Sequence, residues 1–461
     1  MKNMSRRSFM RKCTFTSISF LPIIKQVDSA TEMSFLAMSS ENYQKNISNE
    51  PFLVDIHCHP TLKYYLLKLL MYQRHSNTKG TNKYNMQVDI NNLQKGNVKG
   101  ILAAHHLPER GMVEQANANR RSLPFLRSVL PLLVDKMEKG DEGNYRQLTY
   151  MMDEFEAHVK ETNKKKGGDT IFIAKSFQEF KDLIEKGKIA VAQSVEGFHA
   201  LGRRICDDEY IERLNFLADR GICLMTLSHF FPNDASFPVE GIEPFEKGNL
   251  DLNWVYDERY DDRSLTETGK KIVWQMLKRG IVVDLTHMTP KGRKEVFAIH
   301  EAFSKQYPIN RPLVFSHVGV QENFDDIDGK YAGFRFMGAT DDEISKIKEC
   351  GGVIGIVGEN YWLTGNDNHT SSSSTRNYKD GIQYIIDTIK YIYTITQSYD
   401  YISIGSDFDG FANSPRDFKN PRYFKNLVER LKKEKISDAD IDAITHKNAL
   451  RVLEAGWGNP V

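Results

Sequence analysis

The sequence predicts a (β/α)8 barrel, and three observations point to it. Short runs of Ile, Val and Leu recur along the chain, segments with helical periodicity separate them, and polar residues gather where the runs end. Nearly continuous apolar runs are typical of parallel strands buried on both faces, and a barrel of this kind needs eight. The eight runs are Leu53–His59, Gly100–His106, Ala190–Gly197, Ile222–His229, Ile281–His287, Leu313–Val318, Gly352–Gly358 and Tyr401–Asp409.

Local signals mark the helices that separate the runs. The segment from Ser264 to Arg279 has an apolar stripe, and Gly280 follows it as a residue typical of helix ends. Thr289-Pro290 has the N-cap and first-turn residues of another helix. Ser437 has the position and residue type of a third N-cap. Helices therefore alternate with strands, as a barrel requires.

A long insertion, roughly Leu107 to Gly168, separates the second and third predicted strands, and we expect its segment Tyr145–Lys160 to be helical. The rival architecture is an open doubly wound sheet, which would need a glycine-rich phosphate turn after an early strand. The sequence has no such turn. The prediction is therefore a barrel with a helical insertion between strands 2 and 3.

Length and charge limit the classes of protein. A chain of 461 residues exceeds a typical single domain, but one barrel with insertions can fill it. The net charge of +1 gives no electrostatic reason to expect nucleic acid or an anionic membrane as partner. No apolar run is long enough to span a bilayer. We therefore expect a small-molecule ligand.

Residues 1–30 are predicted to be an export signal of the twin-arginine type. Arg6-Arg7 precedes Phe9, a weakly apolar stretch runs from Cys13 to Ile24, and Ser29-Ala30 could mark cleavage. The alternative is a basic, disordered N-terminal tail. Export would place the protein in the periplasm or outside the cell. Residues 31–461 would then form a single barrel domain.

Six of the eight runs end in residues that bind metals or transfer protons, which is where such barrels have their active sites. Side chains alternate along a strand, so the imidazoles of His57 and His59 point the same way. The other strand-end residues are Glu196, His229, His287, His317 and Asp407. Imidazole and carboxylate groups are good ligands for divalent metals, so the joint pattern predicts a metal site.

A single histidine at a strand end is more often a core residue, or a residue that supports a ligand, than a ligand itself. His105 and His106, at the end of the second run, are interpreted in that way and left out of the predicted site. The joint pattern of six strand ends favours a metal site over coincidence, although each residue alone is weak evidence.

The motifs at these strand ends resemble those of the membrane (renal) dipeptidase family, within the amidohydrolase superfamily. The resemblance covers nearly all of the mature chain, with the motifs in the right order. The segments that carry it are Val54–Pro60, Ser194–Gly197, Ser264–Gly269, Val283–His287, Phe315–His317, Ile404–Gly410 and Asn448–Val452.

The resemblance implies a zinc-dependent dipeptidase in which two metal ions activate a water molecule, with Mn or Co as alternative metals. His57 and His59 would hold one metal, and Glu196 would bridge the two ions. His287 and His317 would hold the second metal. Residues 31–461 would then be a metal-dependent hydrolase domain, and the family suggests a homodimer.

The resemblance also implies roles for residues that face the substrate. His229 would donate to the developing oxyanion, and Asp407 would shuttle the proton. Arg335 would bind the substrate carboxylate, although its surroundings, Phe334–Met337, depart from the Arg-Asn motif of the family. An ordinary surface arginine is the alternative for that position.

One departure concerns the first strand, where His57-Cys58-His59 stands in place of the usual His-x-Asp. A neutral imidazole replaces a carboxylate, so the site loses one negative charge and becomes more attractive to anions. A second function therefore stays open, namely a two-metal amidohydrolase acting on N-acyl amino acids, lactones or cyclic amides. A catalytically inactive binding protein and a structural barrel with core histidines are further alternatives.

Overall fold

The computed structural model describes residues 50–75, 85–109, 141–239, 241, 263–323, 336–364, 381–410, 414–415 and 417–461. The residues from Pro51 to Val461 form one compact unit. The predicted export signal, residues 1–30, and Arg335 both lie outside the described residues. Within the described ranges, no helix has both the length and the apolar character needed to cross a membrane.

Eight parallel strands form a closed barrel, which confirms the predicted fold. The strands of the described chain are β1 Leu53–Cys58, β2 Val98–His106, β3 Ile171–Ile173, β4 Ile189–Glu196, β5 Ile222–Thr226, β6 Val282–Asp284, β7 Val314–Val318, β8 Val353–Ile356 and β9 Ile402–Ile404. Strand β1 pairs with β2 and β9, and β2 pairs with β4, so the ring closes without β3.

The short strand β3 is absent from the sequence prediction. Its three residues pair with Ile189, Ala190 and Val191 at the start of β4. Strand β5 pairs with β4 only from Gln193 onward. Strand β3 therefore extends the sheet at the amino-terminal end of β4, away from the strand ends that carry the predicted site.

Helices surround the barrel and follow the strands in order. They are α1 Pro60–Leu67, α2 Ile90–Lys95, α3 Asp141–Lys165, α4 Phe177–Glu185, α5 Asp207–Asp219, α6 Glu267–Arg279, α7 Pro290–Gln306, α8 Asp341–Glu349, α9 Asn360–Thr364, α10 Gly381–Thr396, α11 Phe424–Lys433, α12 Asp438–Asp442 and α13 Asn448–Gly456. A π-helical turn, Ala443–Lys447, joins the last two.

The local signals in the sequence correspond to real helix ends. The side chain of Thr289 accepts a hydrogen bond from the backbone N–H of Gly292 at the start of α7, and Ser437 caps α12 in the same way. Gly280 ends α6 with a φ of 69°, a left-handed conformation that glycine adopts without strain. The helical insertion between β2 and β4 is confirmed as α3, which is longer than predicted.

A buried histidine joins the insertion to the segment that follows β1. The ring of His158, on α3, stacks on Tyr64 with the centroids 4.1 Å apart, and its Nε2 accepts the backbone N–H of Met71 at 3.0 Å. Burial lowers the pKa of His158 to about 4. The folded protein therefore holds this imidazole neutral down to a lower pH than the unfolded chain does.

Acid should weaken the fold through this residue. An unfolded histidine takes up a proton near pH 6.5, whereas folded His158 does so only near pH 4. The free energy of unfolding should therefore fall, between these values, by up to about 1.4 kcal/mol per pH unit. In His158→Gln, urea titrations at pH 5 and pH 7 should differ less than in the wild type. An equal difference in both proteins would contradict this assignment.

Candidate metal centre

The five predicted metal ligands lie together at the carboxyl ends of the barrel strands, with four imidazoles around the carboxylate of Glu196. Glu196 Oε1 lies 3.4 Å from His57 Nε2, 3.3 Å from His287 Nε2 and 3.5 Å from His317 Nε2. The other oxygen, Oε2, lies 3.3 Å from His59 Nε2. All five side chains are buried. The imidazoles of His57, on β1, and of His59, directly after it, thus both face Glu196, as the alternation of side chains predicts.

The imidazoles form two pairs. The Nε2 atoms of His57 and His59 lie 3.0 Å apart, and those of His287 and His317 lie 3.1 Å apart. Each pair, together with Glu196, forms a group whose ligand atoms lie within 4.8 Å of one another. Two imidazole nitrogens and a carboxylate oxygen are a common ligand set of catalytic zinc, which keeps a further position open for water.

A serine hydroxyl sets the ring orientation of one histidine in each pair. Ser316 Oγ donates to Asp284 Oδ2 at 2.6 Å, and it lies 2.8 Å from His317 Nδ1 and 3.3 Å from His57 Nδ1. Because its hydrogen goes to Asp284, Ser316 accepts the Nδ1 hydrogens of the histidines. Their Nε2 atoms therefore face the centre of the site and can bind a metal ion, which displaces any hydrogen that Nε2 holds. The residues present fit a pair of divalent cations.

Removing this hydroxyl should weaken metal binding. In Ser316→Ala the Nδ1 hydrogens of His57 and His317 lose their acceptor, and we expect metal affinity to fall by about 10- to 100-fold. Competition with a fluorescent chelator measures the change. Ser403→Ala is the matched control, since Ser403 Oγ on β9 is buried and has no hydrogen-bond partner among the described residues. Equal affinities in the two variants would refute the role of Ser316.

Asp407 lies at the edge of the centre, three residues after the end of β9. Its Oδ1 lies 3.2 Å from His59 Nε2 and 3.8 Å from His57 Nε2. Its side chain is 19% exposed, whereas the side chains of the five predicted ligands are nearly inaccessible. Its backbone has a φ of 56°, a left-handed conformation that is uncommon outside glycine and clusters at functional sites. Asp407 can thus contact both the centre and an arriving molecule.

The charges of the centre suit a bridging carboxylate. Burial alone raises the pKa of Glu196, but the surrounding imidazoles of His229, His57 and His59 outweigh it and hold the pKa well below its usual range. Burial lowers the pKa of His57, but Glu196 and Asp407 outweigh this effect and raise the pKa to about 9. Glu196 is therefore ionised and provides negative charge at the point where the two imidazole pairs meet.

His229 approaches the same carboxylate from the loop after β5. Its Nε2 lies 3.7 Å from Glu196 Oε2, and its Nδ1 lies 2.6 Å from Glu109 Oε1. Burial raises the pKa of Glu109 to about 7. Glu109 is a site residue that the sequence analysis missed. The available signal was its position three residues beyond the end of β2, at the face of the barrel where active sites lie.

The two adjacent histidines of β2 have different environments. His105 is a core residue, as interpreted, with Nε2 2.9 Å from Gln193 Oε1. His106 instead contacts a candidate ligand, since its Nδ1 lies 3.5 Å from Glu196 Oε2 and its ring lies 4.1 Å from that of His229. The physical reason is the alternation of side chains along a strand, which turns neighbouring residues to opposite faces.

Aromatic side chains form one wall of the centre. The ring centroid of Trp362, on α9, lies 4.8 Å from that of His287 and 5.9 Å from that of His317. The ring centroid of Phe230 lies 5.3 Å from that of His287 and 3.9 Å from that of His229. This wall places apolar surface beside the second imidazole pair, where it keeps water away and can contact an apolar group.

The chain is similar to known dipeptidases in sequence and in structure. The sequence model described as membrane dipeptidase (peptidase family M19) matches residues 42–456. Dipeptidase verJ of Clonostachys rogersoniana is 24% identical over 349 residues, which are 74% of this chain and 75% of that protein.

Two solved structures have a similar fold. One is a metallo peptidase from Rhodobacter sphaeroides liganded with a phosphinate mimic of the dipeptide L-Ala-D-Ala. It has a TM-score of 0.63 and 16% identity over 88% of this chain and 100% of that one. The other, the probable dipeptidase PvdM from Pseudomonas aeruginosa, has a TM-score of 0.56 and 18% identity over 92% and 99%. Since the family match covers most of the chain, this protein belongs to the membrane dipeptidase family of metallopeptidases.

Proposed function

We propose that this enzyme hydrolyses dipeptides with the help of two zinc ions, with manganese or cobalt as alternatives. The observation that carries the proposal is that two pairs of imidazoles share the Glu196 carboxylate. His57 and His59 would hold one ion, His287 and His317 the other, and Glu196 would contact both. When bound, two such ions lower the pKa of a water molecule and polarise the scissile carbonyl.

The residues around the ligands support the remaining steps. Asp407 would accept the proton of the attacking water and deliver it to the leaving amine, as general acid–base catalysis requires. His229 would donate from Nε2 to the oxyanion that develops on the carbonyl, a type of contact worth on the order of 3 kcal/mol in other enzymes. Arg335 would pair with the substrate carboxylate.

The aromatic wall of Trp362 and Phe230 favours an apolar side chain on the substrate. Its rings lie beside His287, so a side chain next to the scissile bond would contact them and displace water. Burying such a group gives about 25 cal/mol per Å² of apolar surface. Dipeptides with small or medium apolar side chains are therefore the first substrates to test.

The test combines metal analysis with a substrate panel. Protein starting near Thr31 is purified without added metal, its bound metal is measured by elemental analysis, and L-Ala-D-Ala, Gly-D-Ala, L-Ala-L-Ala and the N-acetylated amino acids are offered. Two zinc per chain with cleavage of the dipeptides supports the proposal. Two zinc with cleavage only of the N-acyl compounds moves the function to the second amidohydrolase class, and a metal-free protein after reconstitution contradicts both.

We also propose that the protein acts in the periplasm or outside the cell, as a homodimer. The arginine pair Arg6-Arg7, followed by Phe9 and an apolar stretch, supports export. Replacing both arginines with lysine should retain the protein in the cytoplasm, which cell fractionation measures. Unchanged export would contradict the signal. Light scattering of the purified protein tests the dimer.

A further inference from the structure

Glu109 makes an unusual set of contacts for a residue that follows a barrel strand. Its carboxylate is buried and contacts three consecutive residues after β5. Oε1 lies 2.6 Å from His229 Nδ1 and accepts the backbone N–H of Phe230 at 3.1 Å, and Oε2 accepts the backbone N–H of Phe231 at 3.0 Å. One side chain thus fixes both the ring and the backbone of this segment.

The loop that carries Glu109 is itself held in place. His199 Nε2 donates to the backbone oxygen of Leu107 at 2.7 Å. Asn144, on α3, donates from Nδ2 to the backbone oxygen of His199 at 3.0 Å. The helical insertion therefore supports the short turn Phe198–Leu201, and this turn supports the segment between β2 and Glu109.

We propose that Glu109 is a positioning residue that acts through His229, and that it aims Nε2 of this imidazole at the carbonyl oxygen of the substrate. The inference rests on the proposed function, because it assigns a partner to the oxyanion donor. The ring of His229 has only two nitrogen atoms. With Nδ1 committed to Glu109, Nε2 is the one that faces Glu196, at 3.7 Å from Oε2.

The pairing also explains how Nε2 keeps a hydrogen to donate. A buried carboxylate and a buried imidazole are most stable as a pair without net charge. In that pair one proton lies between Oε1 and Nδ1, bound to either atom, and Nε2 has its own hydrogen in both cases. A His229 without Glu109 could instead turn its bare Nε2 toward the metals as a ligand, which would remove the donor.

A double-mutant cycle tests the proposal in the metal-loaded full enzyme. Glu109→Gln keeps the shape and one acceptor oxygen, and we expect kcat to fall by about 10- to 100-fold while the KM and the metal content change little. His229→Gln should lower kcat by about 10²- to 10³-fold. The double variant should be no slower than His229→Gln, because Glu109 acts only through that residue. Glu156→Gln, a carboxylate paired with Arg220 away from the centre, is the control.

The proposal would be overturned if the fold-loss of kcat in the double variant equalled the product of the two single losses. A Glu109→Gln variant with wild-type kcat would overturn it as well. A spectroscopic readout covers a variant that folds poorly and needs no turnover. In ¹⁵N-histidine-labelled wild-type protein, the His229 resonances, assigned by their loss in His229→Gln, should show a hydrogen on Nε2 and a hydrogen-bonded Nδ1. A bare Nε2 would refute the pairing. If no dipeptide is cleaved by the wild type, the proposed function fails while this readout still decides the geometry.

Discussion

The variant Asp407→Asn should retain its full metal content and lose kcat by about 10²- to 10⁴-fold, the contribution that a general acid–base residue makes in other enzymes. The amide of asparagine cannot accept the proton of the attacking water. Asparagine tolerates the left-handed backbone that Asp407 adopts, with its φ of 56°, so the fold should persist. Stopped assays of dipeptide cleavage and elemental analysis of the same sample measure both quantities.

Asp409→Asn is the matched control for this experiment. Asp409 has the same backbone conformation, with a φ of 70°, but its carboxylate accepts the backbone N–H groups of Gln87 and Val88. The control should lose stability and keep most of its turnover. A loss of metal in Asp407→Asn would instead make Asp407 a ligand, and unchanged turnover would remove it from the mechanism.

The second large effect concerns His59, which stands where the family usually has aspartate. His59→Ala should lose one of the two metals, because only His57 and Glu196 are left of the first ligand group. His59→Asp should keep both metals, since it restores the donor type of the family, and it should bind them more tightly because it adds a negative charge. Elemental analysis and chelator competition measure the stoichiometry and the affinity.

A comparison of the wild type with His59→Asp also tests how the charge of the centre affects anion binding. The wild-type centre has one negative charge fewer than a His-x-Asp centre, so small anions should inhibit the wild type more strongly than His59→Asp. A phosphinate analogue of L-Ala-D-Ala is a suitable probe. Equal inhibition of the two proteins would mean that His59 does not strengthen the binding of anions. Two tightly bound metals in His59→Ala would remove His59 from the ligand set.

The barrel was predictable because its strands are buried on both faces. The mostly apolar run Leu53–Cys58 and seven later runs, with helices between them, indicate a parallel sheet covered on both faces. The missing glycine-rich turn then favours a barrel over an open doubly wound sheet. The three-residue strand β3 was not predictable, because Ile171–Ile173 is too short to show a period. Its place is decided by free backbone groups at the start of β4, which the sequence does not show.

The cluster of candidate ligands was predictable because each of these residues lies at or shortly after a strand end, where local sequence and barrel geometry agree. Glu109 was not, because its partner His229 lies 120 residues later and no short motif connects them. His105 and His106 illustrate a different reason. These two histidines are neighbours in sequence but have different surroundings. Only the register of β2 against β4, which pairs His106 with Glu196, decides which of them contacts that residue.

The hydroxyl of Ser316 contacts one imidazole from each pair, and the rings of His57 and His317 also stack, with their centroids 3.8 Å apart. An ion bound by one pair would therefore act on a hydroxyl that the other pair also contacts. Linkage requires the influence to be mutual, so that occupancy of either position changes the affinity of the other by the same factor. If two ions bind as proposed, their loading should be one coupled equilibrium, and a metal titration should depart from the sum of two independent isotherms.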